Sequence, residues 1–344
     1  MLTRSARRSC HDGKDRMLVF HCNCCCKYRR RPTGFAEEKA KQEGPLVVYG
    51  DTNLRDLQIL AKAFQAKYGF MKDVNILSLP IERLFAKITT EFQAGTYNPD
   101  VISMSAGQTV SAKQLGWLAK YVSPEAKFYG KGFKDPDGFW TSNYMNTNVI
   151  ALNTRHVRAE IYPKRYQDLL HERWKGKMGI NNAHYRWFVN MLELMGEKEG
   201  IAFMRALARQ ELHPAGSQSL LVQLLAAGEV SAVVNVNGHA VEQIRVKDAP
   251  VDWVAVNPVI VGVHPIAVSA RAKNPNSARL FVDFVLSQEG QFVIRDLQRI
   301  PSRTGVLPKL ERLTKGLELR PSDPVFEVNN LQRGEKQFRE IFKF

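Results

Sequence analysis

Between residues 27 and 344 the chain has no cysteine; all five of its cysteines fall between Cys10 and Cys26. Disulfide-stapled and zinc-stapled scaffolds both need spaced cysteine pairs, so the body of this 344-residue chain is neither. A thiol-free body suits an oxidising compartment, where a stray cysteine risks mispairing. No run reaches the roughly 18 consecutive apolar residues of a membrane-spanning helix. Also missing are a Gly-x-Ser-x-Gly elbow, a phosphate-binding Gly-rich loop and a His-Glu-x-x-His zinc helix, which removes the commonest enzyme signatures. Acid is short: 34 Asp+Glu stand against 49 Lys+Arg, for a net charge of +15. Yet there is no helix-turn-helix, zinc finger or aromatic-basic ribonucleoprotein motif to tie that charge to nucleic acid.

The charge divides unevenly. Residues 1–44 hold 11 basic and 5 acidic residues, leaving +9 for the remainder, a balance that suits an anionic partner without choosing one. Arg4, Arg7, Arg8, Lys14 and Arg16 resemble the basic start of a secretory signal, but only Met17-Leu18-Val19-Phe20 follows as an apolar run, short of the roughly 7–15 residues required. His21 before Cys22 does not fit a lipoprotein site. The cluster from His21 to Cys26 offers soft thiolates for a metal but no second pair to complete a tetrahedral site. Residues 1–44 therefore read as an atypical basic, Cys-rich segment, either disordered or a misread signal region.

From Leu46 the pattern changes. Leu46-Val47-Val48-Tyr49 is a short apolar run ending at Gly50, as in a buried parallel strand. Leu57, Leu60, Ala61, Phe64 and Tyr68 then recur at helical spacing, and Asp51, Thr52 or Asn53 can cap that helix. Strands are predicted at 74–79 and 101–104 with a helix at 81–94 between them, whose inward residues are Leu84, Phe85, Ile88 and Phe92. This β-α-β-α-β order implies parallel strands with ligand groups at their carboxyl ends. An extended segment at 139–154 leads to helices at 185–195, 198–208 and 219–227, strands at 178–180 and 232–236, and a helix at about 239–246. A strand at 266–270 precedes an amphipathic helix carrying Ala278, Leu280, Phe281, Phe284 and Val285. Two α/β lobes joined by extended crossings enclose a cleft, and such clefts hold small molecules.

Several segments in order resemble one family. They are Leu46-Val47-Val48-Tyr49, Tyr97-Asn98-Pro99-Asp100-Val101-Ile102, and Phe139-Trp140 running into Asn146-Thr147-Asn148-Val149-Ile150-Ala151-Leu152-Asn153-Thr154. Next come Tyr166-Gln167-Asp168-Leu169-Leu170 with Trp174-Lys175-Gly176-Lys177, then Leu224-Leu225-Ala226-Ala227-Gly228-Glu229. Asn274-Pro275-Asn276-Ser277-Ala278 with Phe281-Val282-Asp283-Phe284, Ser287-Gln288-Glu289-Gly290-Gln291 and Arg299-Ile300-Pro301-Ser302-Arg303 complete the series. Over roughly residues 46–310 the chain resembles periplasmic (extracellular) solute-binding proteins of ABC importers, family-1 type, in the branch that contains the ferric-iron binders. The resemblance implies an α/β two-lobe periplasmic-binding-protein fold (type II), a ligand cleft between lobes joined by extended hinge crossings, and delivery to an inner-membrane ABC permease. It implies a monomer in the periplasm, with no catalytic residue, cofactor or nucleic acid partner. The expected division is lobe 1 at 45–145 plus about 258–310, lobe 2 at 146–257, and a C-terminal helical extension at 311–344, with hinges at 146–154 and 258–266. Iron binders of this branch use adjacent tyrosines after a second-lobe strand, since phenolate is a hard donor for Fe(III). Val234-Asn235-Val236-Asn237-Gly238-His239 in that place has none, which favours a small anionic or polar organic solute over ferric iron or an iron chelate.

The candidate binding residues lie in the loops facing this cleft. Thr52 and Asn53 either cap a helix or share its N-terminus with an anion. Ser103 and Ser105 can donate hydroxyls to an oxyanion or bond their own backbone. On the second lobe, Asn182, His184 and Tyr185 open a helix, where Tyr185 could equally be core. Asn235, Asn237 and His239 stand where the family's tyrosines sit, and the histidine could pair with a carboxylate or simply cap the helix. Glu82 is the one nearby acid worth naming. No metal ligand set is assigned. An enzyme on the same lobe architecture is the remote alternative.

Overall fold

The structure, a computed structural model, describes residues 33–344, with side chains from Glu37 onward. The cysteine cluster and the basic segment before residue 33 lie outside the described residues. After a short helix α1 (Thr33–Ala40), the chain alternates as β1 (Leu46–Gly50), α2 (Leu54–Lys67), β2 (Val74–Ser78), α3 (Ile81–Gln93), β3 (Val101–Ser103) and α4 (Ala106–Gln114). A long strand β4 (Thr141–Asn153) leads to β5 (Met178–Asn181), α5 (Tyr185–Met195), α6 (Glu197–Ala208), β6 (His213–Ala215), α7 (Gln218–Ala227), β7 (Ala232–Asn237), α8 (Gly238–Arg245) and β8 (Val251–Val254). A second long strand, β9 (Val259–Val268), is followed by α9 (Pro275–Leu286), α10 (Gln288–Asp296), β10 (Ile300–Pro301), β11 (Leu319–Pro321) and α11 (Pro324–Phe342).

The strands run in the order β2-β1-β3-β9-β4-β7-β5-β6, with β10 and β8 on β4 and β11 on β9. β1 pairs in parallel with β2 and β3, as the βαβ order predicts. β9 then pairs antiparallel to β3 and β4, while β7, β5 and β6 form a second parallel set. Thr141 to Thr147 of β4 pair with β9, whereas Asn148 to Leu152 pair with β7. One strand thus belongs to both halves of the molecule. This is the α/β two-lobe architecture, with the cleft between halves joined by extended strands.

Alternation along the strands sorts side chains into cores on either face. Leu46 and Val48 of β1 join Phe64, Phe281 and Phe284 on one face of the first half, while Tyr49 joins Leu84, Ile88 and Trp140 on the other. In the second half Ile150 and Leu152 meet Trp187 and Phe188, and Val149 and Ala151 meet Trp253 and Leu225. The pairing of β4 with β7 slips between Val149 and Ala151, where three steps on β7 match two on β4. This bulge shifts the alternation, so Val233 and Val236 share a face.

Three differences from the sequence reading have physical causes. Residues 106–114 form α4 because Ser105 takes the N-cap position and the small residues Ala106, Gly107 and Ala112 pack closely, although their weak apolar contrast reads as loop. β9 begins seven residues earlier than the strand expected at 266–270, since Val259, Val261 and Val263 are buried by pairing with β11 and β4. At the C-terminus, Phe338 and Phe342 of α11 enter the core of the second half beside Phe188. A buried aromatic of this kind contributes roughly 2–3 kcal/mol.

Candidate ligand-binding cleft

The carboxyl ends of β1, β3, β5 and β7 all deliver loops to the boundary between the halves. Asp51, just past β1, is bonded by His264 of β9, whose Nε2 lies 2.5 Å from its carboxylate, and by the backbone N–H of Ser105 at 3.0 Å. Burial pushes the Asp51 carboxyl up, but the neighbouring His264 and these hydrogen bonds outweigh it and hold the carboxyl below its ordinary range. His264 stacks on Tyr144 of β4 with ring centroids 4.3 Å apart. Over the Tyr144 ring lies the Arg299 guanidinium at 4.5 Å, itself bonded through Nε to Asp56 at 2.7 Å. Burial raises the Tyr144 phenol to about 12, against the opposing pull of Arg299, so the phenol stays protonated.

Two cavities flank this group. The larger, about 310 Å³, is lined by Asn53, Arg55 and Asp56 from the start of α2, His239 and Gln243 from α8, and the segment ending at Arg299. Its inner wall is already paired: Arg299 holds Asp56, and the Asn53 side chain accepts from the Asp56 N–H at 2.9 Å as the cap of α2. Burial lowers the His239 imidazole to about 4, with the Arg299 charge adding to the effect.

The smaller cavity, about 130 Å³, takes Ser105 and His264 from the first half, Asn146 and Asn148 from the crossing strand, and His184, Arg186, Trp187 and Asn190 from α5 and its N-cap. Asn237 closes it from β7, and Ser322 and Glu327 enter from the chain around the start of α11. Its polar groups are largely unmatched. Asn148 Oδ1, His184 Nδ1, Trp187 Nε1, Asn190 Oδ1, His264 Nδ1 and Ser322 Oγ are all buried without a hydrogen-bond partner. Leaving one such group unpaired costs about 1–3 kcal/mol, so a cluster of them around one void marks a place where a ligand or water completes the bonds. Burial above all, with the Arg186 charge adding, lowers His184 to about 4 and keeps its imidazole neutral. Arg186 reaches across the boundary to the Gln108 side chain of α4, a direct bridge between the halves.

Residues 97–316 match the family of bacterial extracellular solute-binding proteins. The chain belongs to that family. An uncharacterized protein of Haemophilus influenzae is 26% identical to this solute-binding protein over 279 residues, covering 73% of this chain and 75% of the relative. Among solved structures it is similar to iron-bound HitA from Pseudomonas aeruginosa, at 21% identity and a TM-score of 0.73, over 86% of this chain and 99% of that one. It is also similar to the periplasmic binding protein AfuA from Actinobacillus pleuropneumoniae with fructose-6-phosphate bound, at 22% identity and a TM-score of 0.69, over 88% and 99% of the two chains. At these identities the likeness is one of fold.

In this solute-binding protein Ser105, His184 and Asn237 line the smaller cavity, and Asn53 and His239 the larger. The remaining candidates line neither cavity. Thr52 is buried with its hydroxyl 3.2 Å from the Tyr144 hydroxyl, and Ser103 donates to the Pro265 carbonyl at 3.1 Å. Asn235, in the bulge of β7, accepts from the Asn181 N–H at 2.9 Å and so ties β7 to β5. The Asn182 N–H donates to the Ala215 carbonyl at 3.1 Å. Tyr185 packs edge-on against Phe338, 5.4 Å between centroids, and Glu82 is exposed in the first turn of α3. Sequence reasoning missed His264, Arg186, Asn148 and Glu327. A histidine inside the apolar run of β9 was a usable signal for the first, and Glu327, set among Val325, Phe326 and Val328, carried a similar one.

Proposed function

We propose that this protein captures a small polar organic solute in the smaller cavity and passes it to the membrane permease of an ABC importer. The cluster of unpartnered buried polar atoms around that cavity, contributed by both halves, is the observation that supports this reading. A cavity of about 130 Å³ equals roughly four water volumes, which suits a compact solute. A solute bonded to both halves at once favours the arrangement in which they face each other, by no more than its preference for that arrangement. Ferric iron as cargo calls for hard anionic oxygens. The wall offers amides, imidazoles, an indole, a guanidinium and the Glu327 carboxylate, a set suited to hydrogen-bonding an organic molecule. The same reading puts the protein in the periplasm as a monomer that binds its solute without turnover.

Thermal-shift screening of the full chain against carboxylates, phosphonates, sugar phosphates and ferric citrate tests this. A binder present at about a hundred times its Kd should stabilise the fold by about 2.7 kcal/mol, and Asn148→Ala should remove most of that gain. Stabilisation by ferric citrate alone, with a visible phenolate charge-transfer band, or turnover of the bound solute would sink it.

A further inference from the structure

Two opposite charges enter the smaller cavity, and among the described residues neither has an ionic partner within pairing distance. Glu327 is 4% exposed, and its carboxylate accepts from Asn190 Nδ2 at 2.6 Å. It stands in the first turn of α11, the end of a helix that attracts negative charge. The neighbouring acid Glu193 is taken by Arg320 at 3.4 Å. Arg186, in the first turn of α5, stands against that helix's dipole and bonds only the neutral side chain of Gln108. A charge removed from water without a counter-charge is costly, which bears chiefly on the buried Glu327; Arg186 is half-buried and also lacks a counter-charge.

The neutral groups divide in the same way. Asn190 must present its Oδ1 to the void, because its Nδ2 is committed to a carboxylate, and Asn148 must do likewise, because its Nδ2 points to the Ile260 carbonyl at 3.4 Å. Those two carbonyl oxygens, with the Glu327 carboxylate, are acceptors awaiting donors. Trp187 Nε1 is a donor without an acceptor, and the Arg186 guanidinium, already bonded to Gln108, has further N–H groups to offer. A monoanion would fill one set and leave the other bare.

We propose that the solute is a zwitterion, with an ammonium group held by Glu327 and the Asn148 and Asn190 carbonyls and a carboxylate or phosphonate held by Arg186. This deepens, and rests on, the assignment of the smaller cavity as the solute site. It makes Glu327 and Arg186 the residues that set specificity.

Calorimetric titration of the full chain with glycine, β-alanine and γ-aminobutyrate, with their phosphonate counterparts, and with the matched acid and amine lacking one charge, decides the matter. At least one zwitterion should bind about thirty-fold or more tighter than both of its single-charge analogues, the effect of one buried charge pair. Glu327→Gln should abolish the preference over the acid, and Arg186→Gln the preference over the amine, while the wild-type ratios stand alone should either variant not fold. Equal affinity for an acid and its amino derivative, or no binding across the panel, overturns the proposal. Mass spectrometry of the small molecule released on denaturing the purified protein separates the failures: a monoanion or neutral solute removes only the zwitterion, and iron without an organic solute removes the cleft assignment as well.

Discussion

The two cavities at the boundary between the halves share a short stretch of chain, Asn237 facing one and His239, two residues on, the other, yet they treat charge in opposite ways. In the larger, Arg299 has both a carboxylate and an aromatic face. In the smaller, Asn148 Oδ1, Asn190 Oδ1, His184 Nδ1, His264 Nδ1 and Trp187 Nε1 are buried without a partner. A pair such as Arg299–Asp56 holds a structure together, whereas an unpaired group is held in place by the structure around it, and on the proposed reading its completion falls to the solute. The first should therefore govern stability and the second affinity.

The largest break of this contrast is Arg299→Ala. Removing the cation leaves Asp56 buried and unpaired and bares the Tyr144 ring, so the fold should lose about 3 kcal/mol, with the melting temperature falling in calorimetry and solute affinity near wild type. A drop in affinity with unchanged stability would reverse the roles of the two cavities.

Next is acid. His184 and His239 are each lowered to about 4 from an ordinary 6.5, so the unfolded chain binds more protons than the fold between those values. Stability is complete above about pH 6.5 and is lost as pH falls toward 4, by roughly 2–3 kcal/mol for each histidine. His184→Gln and His239→Gln should each remove about half of that slope in urea titrations. Only His184→Gln should change the pH dependence of solute binding.

The smallest effect carries the opposite sign. Ser322 Oγ is buried without a partner, so Ser322→Ala should stabilise the ligand-free protein by about 1 kcal/mol and weaken solute binding. Chemical denaturation with and without solute reads both; destabilisation of the free protein would show that the hydroxyl is not a waiting group.

Much of the architecture was legible because strands and helices announce themselves by local period. β1, α2, α3, α5 and α9 follow from the spacing of residues such as Leu57, Leu60 and Phe64, and the polar loops after parallel strands pointed to the boundary where Ser105, His184 and Asn237 now stand. What stayed hidden depends on long-range meeting. Asp51 and His264 are 213 positions apart, and Asn190 and Glu327 are 137 apart. Glu327 stands among Val325, Phe326 and Val328, which hints at burial, but not at the helix 137 positions earlier that it meets. Thr52, Ser103 and Asn235, also weighed as ligand groups, bond other parts of the chain here, since small polar residues after a strand serve backbone and neighbouring side chains as readily as a solute.

The strands β4 and β9 join the halves and also carry Asn146, Asn148 and His264 into the smaller cavity. Rotation of one half against the other moves residues near such a pivot through short arcs and residues on the outer helices through long ones. The floor of the cavity is thus a fixed template, while Arg186 and Glu327 are its travelling parts. On the proposed reading, an arriving solute meets the template first, which sets how often capture succeeds; the travelling groups engage afterwards and set how long it is retained.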